Sequence, residues 1–395
     1  MKSIIKDWRV YGIRVTISAI IFFALTGSCK KRTGPGANEL DPEPSVQKLS
    51  LRYATGFNID YYNDIKRITI MNPWQGARNV NLEYYLAPKG VDLENLPQHA
   101  QVIRIPVKRI ICMSTTHIGM LDFIGKLNSL VGISGSRYVT NENVRSGIEK
   151  GDIVDIGYEQ NIHYEEIISL RPDVIMTYGI GSEVAGYINK LKELGIPVVI
   201  NGDYLEQSPL GKTEWVKFVA AFYNLENLAE DKFNEIAEEY NRIKLLAANT
   251  KSKPRIMTGL PWKDTWYIPG GRSFAVNLIR DAGGEYIWDE SETHEAVPLD
   301  IEAVFRRARN ADIWINPGAA NKISDILAVD QRLAEFKPLI SGNVFNNNKI
   351  SNAGGGNDYW ESGITNPHLI LKDLVQIFHP KILQEDEMTY YRKIN

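Results

Sequence analysis

The chain has 395 residues, of which 44% are hydrophobic and 24% are charged, and its formal net charge at pH 7 is −3. This length is enough for two or three domains, and the composition is that of ordinary globular proteins. It excludes a disordered chain, a collagen-like fibre and a multi-span membrane protein. The slightly negative charge also argues against a basic surface for nucleic acid.

Residues 1–28 have the pattern of a secretory signal peptide. Their charged start has a net charge of +3, and an apolar run of eleven residues follows from Val15 to Leu25. Such a run is too short to cross a bilayer, which needs about 20 helical residues, but it is typical of a signal peptide. The next residues, T-G-S-C, resemble the lipobox of bacterial lipoproteins, which implies that Cys29 is lipidated. A plain signal peptide cleaved nearby is the alternative.

The lipobox predicts that the protein lies on the periplasmic side of a bacterial cell envelope, held to a membrane by a lipid at Cys29. Residues 29–50 contain several glycines and prolines and are predicted to form a flexible tether. The other cysteine, Cys112, lies in the apolar run I-I-C-M and is expected to be a buried thiol. With Cys29 lipidated, no disulfide can form within the chain.

The first part of the folded body, residues 51–210, is predicted to be an N-terminal α/β lobe. Residues 51–107 read as an N-terminal β-hairpin extension, because K-R-I-T-I and N-L-E-Y-Y-L alternate like half-buried strands. From Lys108 onward, short apolar strands alternate with helices. This βαβ pattern favours a mostly parallel sheet that is covered on both faces.

Residues 211–252 are predicted to be a helical linker. Its longest helix, from Leu225 to Asn249, has 25 residues and would measure about 37 Å, enough to span a small two-lobed protein. Residues 253–395 then repeat the strand–helix alternation as a C-terminal lobe. The fold class is therefore α/β, with two Rossmann-like lobes joined by a single long backbone helix.

The two predicted lobes share one phrase. Residues 165–179 read E-E-I-I-S-L-R-P-D-V-I-M-T-Y-G, and residues 301–318 read I-E-A-V-F-R-R-A-R-N-A-D-I-W-I-N-P-G. In each, a helix with an acidic start leads into an aspartate, a buried strand and a glycine turn. This internal repetition favours two similar lobes that face each other across a cleft.

The order of several phrases carries a family resemblance. R-I-I-C-M-S-T-T-H, L-V-G-I-S and the repeated phrase are followed, after the long helix, by K-P-R-I-M and S-F-A-V-N-L-I-R-D-A-G-G. Over about residues 105–380 the chain resembles the substrate-binding lipoproteins of ABC importers for cobalamin, ferric siderophores or haem (the class III, helical-backbone type). The extension at 51–104 lies outside the usual pattern of that family.

This resemblance implies a rigid clamp of two lobes that binds a ligand and has no enzymatic activity. It also implies one acidic residue on each lobe that docks onto arginines of the membrane permease. The matching positions are Glu165 and Glu302. The alternative is that both are ordinary carboxylates at helix N-termini, where the helix dipole favours them.

Ligands of open α/β sheets bind beyond the carboxyl ends of the strands, and this rule selects the loops that face the cleft. The predicted ligand-binding residues are Thr115, Thr116, His117, Arg137, Tyr158, Tyr178 and Tyr204 in the first lobe, and Trp262, Lys263, Trp266, Arg272, His294, Tyr359 and Trp360 in the second. Many are aromatic, which suits a large planar or macrocyclic ligand. The three basic residues suit an anionic one.

No protein-bound metal and no cofactor are predicted, although the ligand may itself carry iron or cobalt. His117 and His294 are single loop histidines, whereas a zinc or manganese protein needs three or four ligands from the protein. Neither the glycine-rich stretch at 178–186 nor G-G-G-N-D-Y-W fits a nucleotide-binding motif.

Three functions remain open from the sequence. The first is a lipid-anchored monomer that captures an iron chelate (a ferric siderophore or haem) and delivers it to a permease with ATPase subunits. The second is the same role for cobalamin or another corrinoid, which an aromatic cleft without basic residues would favour. The third is an extracytoplasmic hydrolase that uses Asp264, Glu295, Asp358 or Glu361.

Overall fold

The computed structural model describes residues 47–94, 96–158, 161–179, 181–383 and 386–395. The predicted signal peptide, the lipidation site Cys29 and residues 29–46 of the predicted tether lie outside the described residues. Within these ranges, no helix combines the length and the apolar character that crossing a membrane requires.

The N-terminal extension is a sheet of five strands, larger than the predicted hairpin. Its strands are β1 (Gln47–Lys48), β2 (Phe57–Tyr62), β3 (Ile65–Met71), β4 (Asn81–Pro88) and β5 (Gln101–Ile105). They lie side by side in chain order, antiparallel except for β4 and β5, which are parallel. The last residues of the predicted tether therefore belong to this sheet.

One face of the extension packs onto the first lobe. Ile68 on β3 lies opposite Ile59 on β2 and Tyr84 on β4, and all three side chains are buried. They join the same hydrophobic cluster as Phe218 and Phe222 of the linker. The alternation of apolar residues in these strands thus supplies one core for both the extension and the lobe.

The first lobe is a doubly wound α/β unit. In chain order it contains β6 (Ile110–Cys112), α1 (Thr115–Phe123), β7 (Leu130–Ile133), α2 (Glu142–Lys150), β8 (Val154–Asp155), α3 (Tyr164–Leu170), β9 (Val174–Thr177), α4 (Gly181–Glu193) and β10 (Val198–Ile200). The sheet order is β8-β7-β6-β9-β10, with every pair parallel. The direction of winding reverses between β6 and β9, which is where open α/β sheets bind ligands.

The linker has three helices, α5 (Pro209–Glu214), α6 (Val216–Ala221) and α7 (Glu226–Ala248). The buried Trp215 separates α5 from α6. Helix α7 has 23 residues, or about 35 Å. Its Ala229 belongs to the core of the first lobe, whereas Phe233 and Ala247 belong to the core of the second, so this helix joins the two lobes.

The second lobe has a similar layered arrangement. It contains β11 (Arg255–Thr258), β12 (Thr265–Ile268), α8 (Phe274–Asp281), β13 (Glu285–Tyr286), β14 (Val297–Asp300), α9 (Ile301–Ala308), β15 (Ile313–Ile315), α10 (Ile323–Val329), α11 (Lys337–Ile340), β16 (Val344–Asn346), α12 (Asp358–Glu361), α13 (Pro367–Phe378) and β17 (Arg392–Lys393). Its sheet order is β13-β11-β15-β16-β17, parallel except for β16 and β17. The predicted fold class, two mostly parallel lobes joined by a long helix, is confirmed.

Two buried carboxylates attach the segment before β2 to the linker. Glu214 is fully buried and accepts hydrogen bonds from the backbone N–H groups of Arg52, Tyr53 and Ala54 at 2.7–3.1 Å. Its other contact is the ammonium group of Lys217, at 2.8 Å and equally buried. A buried charge is stable only with such partners, so Glu214 holds this segment in one place.

The second carboxylate, that of Glu206, lies before α5 and acts in the same way. It accepts hydrogen bonds from the backbone N–H groups of Thr55 and Gly56, at 2.8 and 2.9 Å, and from the indole N–H of Trp215 at 3.0 Å. The extension is therefore fixed to the linker by hydrogen bonds as well as by apolar contacts.

We expect Glu214→Ala to lower the free energy of unfolding by about 3–5 kcal/mol, because it removes the acceptor of three backbone N–H groups and one buried charged partner of Lys217. Denaturant unfolding measures the loss. The control is Glu239→Ala, which removes an exposed ion pair with Arg242 and should cost less than about 1 kcal/mol. Equal losses in the two variants would contradict this role of Glu214.

Candidate functional site

A cavity of about 280 Å³ lies between the first lobe and a loop of the second. From the first lobe, its walls are formed by residues that directly follow β6, β7, β8 and β9. The lining residues are Met113, Ser114, Thr115, Ser134, Tyr138, Tyr158 and Tyr178 of the first lobe, and Gly355, Gly356, Asn357 and Trp360 of the second. The cavity therefore lies at the carboxyl ends of the parallel strands, including the point where the winding reverses.

The walls of this cavity are aromatic and polar without charge. The rings of Tyr138 and Tyr158 lie 5.7 Å apart, and the ring of Tyr359 contacts Trp360 edge-on at 4.7 Å. Trp360 is nevertheless 51% exposed and Tyr158 39% exposed. Large aromatic side chains left open to solvent around a cavity are typical of a ligand site, because the ligand supplies the missing apolar contacts.

The cationic side chain of Arg137 lies beside the wall residue Tyr138. Its guanidinium group lies over the ring of Tyr138, 4.5 Å from the centroid, and donates a hydrogen bond to the hydroxyl of the same tyrosine. Arg137 is exposed. It therefore remains open to pairing with an anionic group of a ligand.

Helix α1 begins at the bottom of the cavity. Its N-cap residue Ser114 accepts a hydrogen bond from the backbone N–H of Thr116 at 3.3 Å, and both Ser114 and Thr115 line the cavity. A helix N-terminus carries a partial positive charge, which favours carbonyl or anionic ligand groups at this point.

The cavity keeps its shape because the second lobe is hydrogen-bonded to the first beside it. The carboxylate of Glu361 accepts the backbone N–H groups of Thr140 and Asn141 at 2.8 and 2.7 Å. The amide of Asn352 donates to the carbonyl of Val139 at 2.7 Å. Glu361 is 2% exposed, and this burial raises its pKa although both N–H donors favour the charged form.

Two glycines allow the main chains of the two lobes to touch. A Cβ atom on Gly354 would lie 2.2 Å from the carbonyl oxygen of Arg137, and one on Gly356 would lie 2.2 Å from that of Tyr138. Any side chain would push the two loops apart, so only glycine fits at either position. The stretch G-G-G-N-D-Y-W thus brings the second lobe onto the wall of the cavity.

Three further predicted residues, Thr116, Tyr204 and Tyr359, lie near this cavity, but Tyr359 is only 4% exposed because it packs in the core of the second lobe. Thr116 and Tyr359 line a second, much smaller cavity of about 20 Å³ with Trp360. The hydroxyl of Tyr204 donates to the carbonyl of Gly179, which follows the cavity residue Tyr178. The structure therefore brings Thr115, Tyr158, Tyr178 and Trp360 together in the main cavity, with Arg137 and Tyr204 beside it.

Four candidates of the second lobe are exposed and outside the main cavity. Trp262 is 63% exposed in the turn after β11, and the ammonium group of Lys263 lies 4.4 Å from the centre of its ring. Arg272 forms an ion pair with Glu292, and His294 is exposed two residues later.

Two predicted ligand contacts are corrected by the structure. Trp266 is fully buried, because residues alternate along β12, and its indole N–H donates to the carbonyl of Thr258 at 3.0 Å inside the second lobe. His117 is 1% exposed, because it lies on the side of α1 that faces the lobe interior. Burial lowers the pKa of His117 to about 3, so it is a neutral core residue.

Several cavity residues were not among the predicted contacts. Tyr138 follows β7 in the loop that already contained Arg137, and Met113 and Ser134 are the first residues after β6 and β7. Gly355 and Gly356 could have been found from the run of three glycines, which signals a close approach of main chain. Within the described ranges, no group of three or more His, Cys, Asp and Glu side chains could hold a metal ion.

Three of the four acidic residues considered for a hydrolase accept hydrogen bonds within the structure. Glu361 binds two N–H groups, as described above, and Asp358 accepts the hydroxyl of Thr140 at 3.0 Å and that of Ser362 at 2.6 Å. Glu295 accepts the side-chain amide of Gln75 at 2.7 Å. These carboxylates hold the structure together, and none of them lines the main cavity.

We expect Gly356→Ala to lower the free energy of unfolding by about 1–3 kcal/mol, because the new methyl group overlaps the carbonyl of Tyr138. Thermal or denaturant unfolding measures this. The matched control is Gly186→Ala in helix α4, where no atom lies within 4 Å of the new methyl group and alanine favours the helix. A variant of Gly356 as stable as that control would contradict the close contact between the lobes.

Comparison with known proteins identifies relatives of this chain. The family model described as "Periplasmic binding protein" matches residues 110–346, more than half of the chain. An uncharacterized lipoprotein of Methanocaldococcus jannaschii is 28% identical over 375 residues, covering 89% of this chain and 87% of the relative. A second uncharacterized lipoprotein of that organism is 25% identical and covers 93% of each chain, so its match includes at least part of residues 51–107.

Two solved structures show the same fold. A possible iron-binding (periplasmic solute-binding) protein from Staphylococcus epidermidis has a TM-score of 0.54 at 19% identity, covering 69% of this chain and 99% of that one. A periplasmic heme-binding protein from Pseudomonas aeruginosa has a TM-score of 0.55 at 14% identity, covering 73% and 98%.

Proteins of this family bind solutes and are not enzymes, which agrees with the expectation from the sequence. The family and the lipoprotein relatives also indicate an extracytoplasmic location. The model match, the two lobes and the cavity between them lead to one conclusion: the chain belongs to the periplasmic binding protein family.

Proposed function

We propose that this protein is the substrate-binding lipoprotein of an ABC importer and that it captures an iron chelate, a ferric siderophore or haem, between its lobes. The observation that carries the proposal is the aromatic cavity at the carboxyl ends of the first-lobe strands, closed on one side by the second lobe. Three exposed basic side chains support an anionic ligand. They are those of Arg137, which follows β7, Lys263, which follows β11, and Arg272, which follows β12.

The size of the cavity supports a ligand that extends beyond it. Pockets for whole small molecules measure about 300–1,000 Å³, and this cavity lies just below that range. A macrocyclic chelate would fill the cavity with one part and lie against exposed aromatic surface, such as Trp360, with another. Its face would stack on the aromatic rings, and its polar edge would reach Ser114 and Thr115 at the start of α1.

A corrinoid such as cobalamin is the second candidate. The lining of the main cavity favours it, because none of the described residues that form this lining carries a charge. The two candidates therefore differ in whether the basic residues of the rim contribute to binding.

The proposal includes delivery of the ligand to a permease with ATPase subunits, through Glu165 and Glu302. Each lies in the first turn of a helix, α3 or α9, that leads into a central strand of its lobe. These helices therefore begin on the edge of each sheet that faces the cleft. Both carboxylates are exposed, and Glu302 is paired with Arg332 at 2.7 Å. Exposed charges of this kind set the orientation and rate of association.

The lipid anchor remains part of the proposal. Cys29 lies outside the described residues, and the support for its lipidation is the T-G-S-C sequence together with the lipoprotein relatives. We propose that the protein acts as a monomer, held by this lipid on the outer side of a membrane.

Titration with a panel of ferric siderophores, haem and corrinoids, followed by tryptophan fluorescence, tests the ligand. We expect saturable quenching by an iron chelate, with less quenching in Trp360→Phe because Trp360 lines the cavity. We expect Arg137→Gln to weaken binding of an anionic ferric chelate about tenfold, since it removes a charge-assisted contact.

The matched control for Arg137 is Arg145→Gln, on the exposed side of α2, which should leave the affinity unchanged. Saturable binding of corrinoids alone would favour the second candidate. Absence of saturable binding to every member of the panel, or chemical conversion of any of them, would overturn the proposed function.

Reversing both docking charges, with Glu165→Lys and Glu302→Lys, should leave ligand affinity unchanged and abolish uptake by cells that carry the complete importer, because the permease contact is lost. Glu149→Lys with Glu285→Lys is the control. These residues lie at the end of α2 and the start of β13, on the opposite edges of the sheets. Weaker ligand binding in the first double variant would argue against docking.

A further inference from the structure

The extension, which precedes the residues matched by the family model, is fixed to the outer strand of the first-lobe sheet. The backbone N–H of Ile200 donates to the hydroxyl of Tyr84 at 3.1 Å, and the side-chain amide of Gln101 donates to the carbonyl of Val198 at 2.7 Å. Both contacts are made to β10. The loop between β3 and β4, residues 72–80, is thereby held beside the carboxyl end of the lobe sheet.

The 72–80 loop has a defined conformation of its own. The backbone N–H of Asn72 donates to the carbonyl of Val80 at 2.7 Å, which closes the base of the loop. The N–H of Ala77 donates to the carbonyl of Trp74 at 3.0 Å, which forms a turn at the tip. Gly76 has a φ of 80° within this turn, a conformation that glycine adopts without strain.

The tip of this loop contacts both lobes. Trp74 pairs with Gly179 through a parallel main-chain bridge, and a Cβ atom on Gly179 would lie 2.7 Å from the carbonyl oxygen of Pro73. The backbone N–H of Gln75 donates to the hydroxyl of Tyr204 at 3.3 Å, and its side-chain amide donates to Glu295 of the second lobe at 2.7 Å. One residue of the extension therefore links the two lobes across the cleft.

The contact that Gln75 makes with both lobes lies at one edge of the cleft, and the contact of Gly354 and Gly356 with the first lobe lies at the opposite edge. The strand order places β10, and with it Tyr204, on one edge of the sheet, and β7 and β8, with Tyr138 and Tyr158, on the other. Gly354 and Gly356 close the second edge, as described above. Trp74 is bridged to the residue that follows the cavity residue Tyr178, and its side chain is 39% exposed.

We propose that the 72–80 loop is the second end wall of the ligand site and that Trp74 contacts the bound chelate. This inference rests on the proposed function. Paired strands lie about 4.8 Å apart, so the main chain of Trp74 is one strand spacing from Gly179 and next to the wall formed by Tyr178. The loop sets the length of the cleft, and the indole of Trp74 supplies an additional apolar face at this end of it.

The test measures chelate affinity of purified variants, without any permease, by the titration described above. We expect Trp74→Ala to weaken binding of the chelate that the unsubstituted protein binds by about tenfold, with Trp74→Phe retaining most of the affinity. The matched control is Tyr62→Ala, an aromatic residue at the opposite end of the same sheet, which should leave the affinity unchanged. Thermal melting confirms that each variant is folded.

Affinity of Trp74→Ala equal to that of the unsubstituted protein would overturn the inference. The inference would also be overturned if Trp74→Ala bound the chelate with normal affinity and lost only uptake, since the loop would then contact the permease. Failure of the unsubstituted protein to bind any chelate is seen before any substitution is made, and it would overturn the proposed function and this inference together.

Discussion

The carboxylate of Glu361 and the main-chain contact at Gly354 and Gly356 fix the second lobe against the first. This contact sets the distance between the two walls of the cavity. The geometry of a binding site between two lobes depends on that distance. A buried carboxylate is costly unless N–H donors surround it, and here the donors belong to the other lobe. Separation of the lobes would therefore expose unpaired groups on both sides. With α7 shared by both cores, the cavity exists before any ligand arrives, which reduces the entropic cost of binding.

The extension is integrated into this rigid frame. Glu206 and Glu214 bind five consecutive backbone N–H groups, from Arg52 to Gly56, and thereby hold the start of the extension on the linker helices. The 72–80 loop leaves the same end of the sheet, and its residue Gln75 reaches the second lobe. The extension thus contacts the first lobe, the linker and the second lobe, and it reinforces the same arrangement that Glu361 establishes.

The sequence was sufficient to predict those parts of the fold that local periodicity determines. The strand–helix alternation of both lobes and the long helix α7 repeat patterns within about 10–25 residues. The contact made by Glu361 joins residues 221 positions apart, and no local pattern marks it. Similarly, Trp262 lies in the turn before β12 and is exposed, whereas Trp266 lies on the buried face of β12, and the sequence alone marks neither the start of this strand nor its buried face. His117 was misplaced because its position after a strand resembles a ligand loop, whereas it already belongs to helix α1.

The contact at Gly354 and Gly356 is made by main-chain atoms, which are common to all amino acids. The spacing of the lobes is consequently independent of the side chains that line the cavity. Tyrosines and tryptophans on either wall can be exchanged for other residues without moving one lobe relative to the other. A binding protein built in this way can acquire selectivity for a different solute through single substitutions in its walls while the arrangement of its two lobes is preserved.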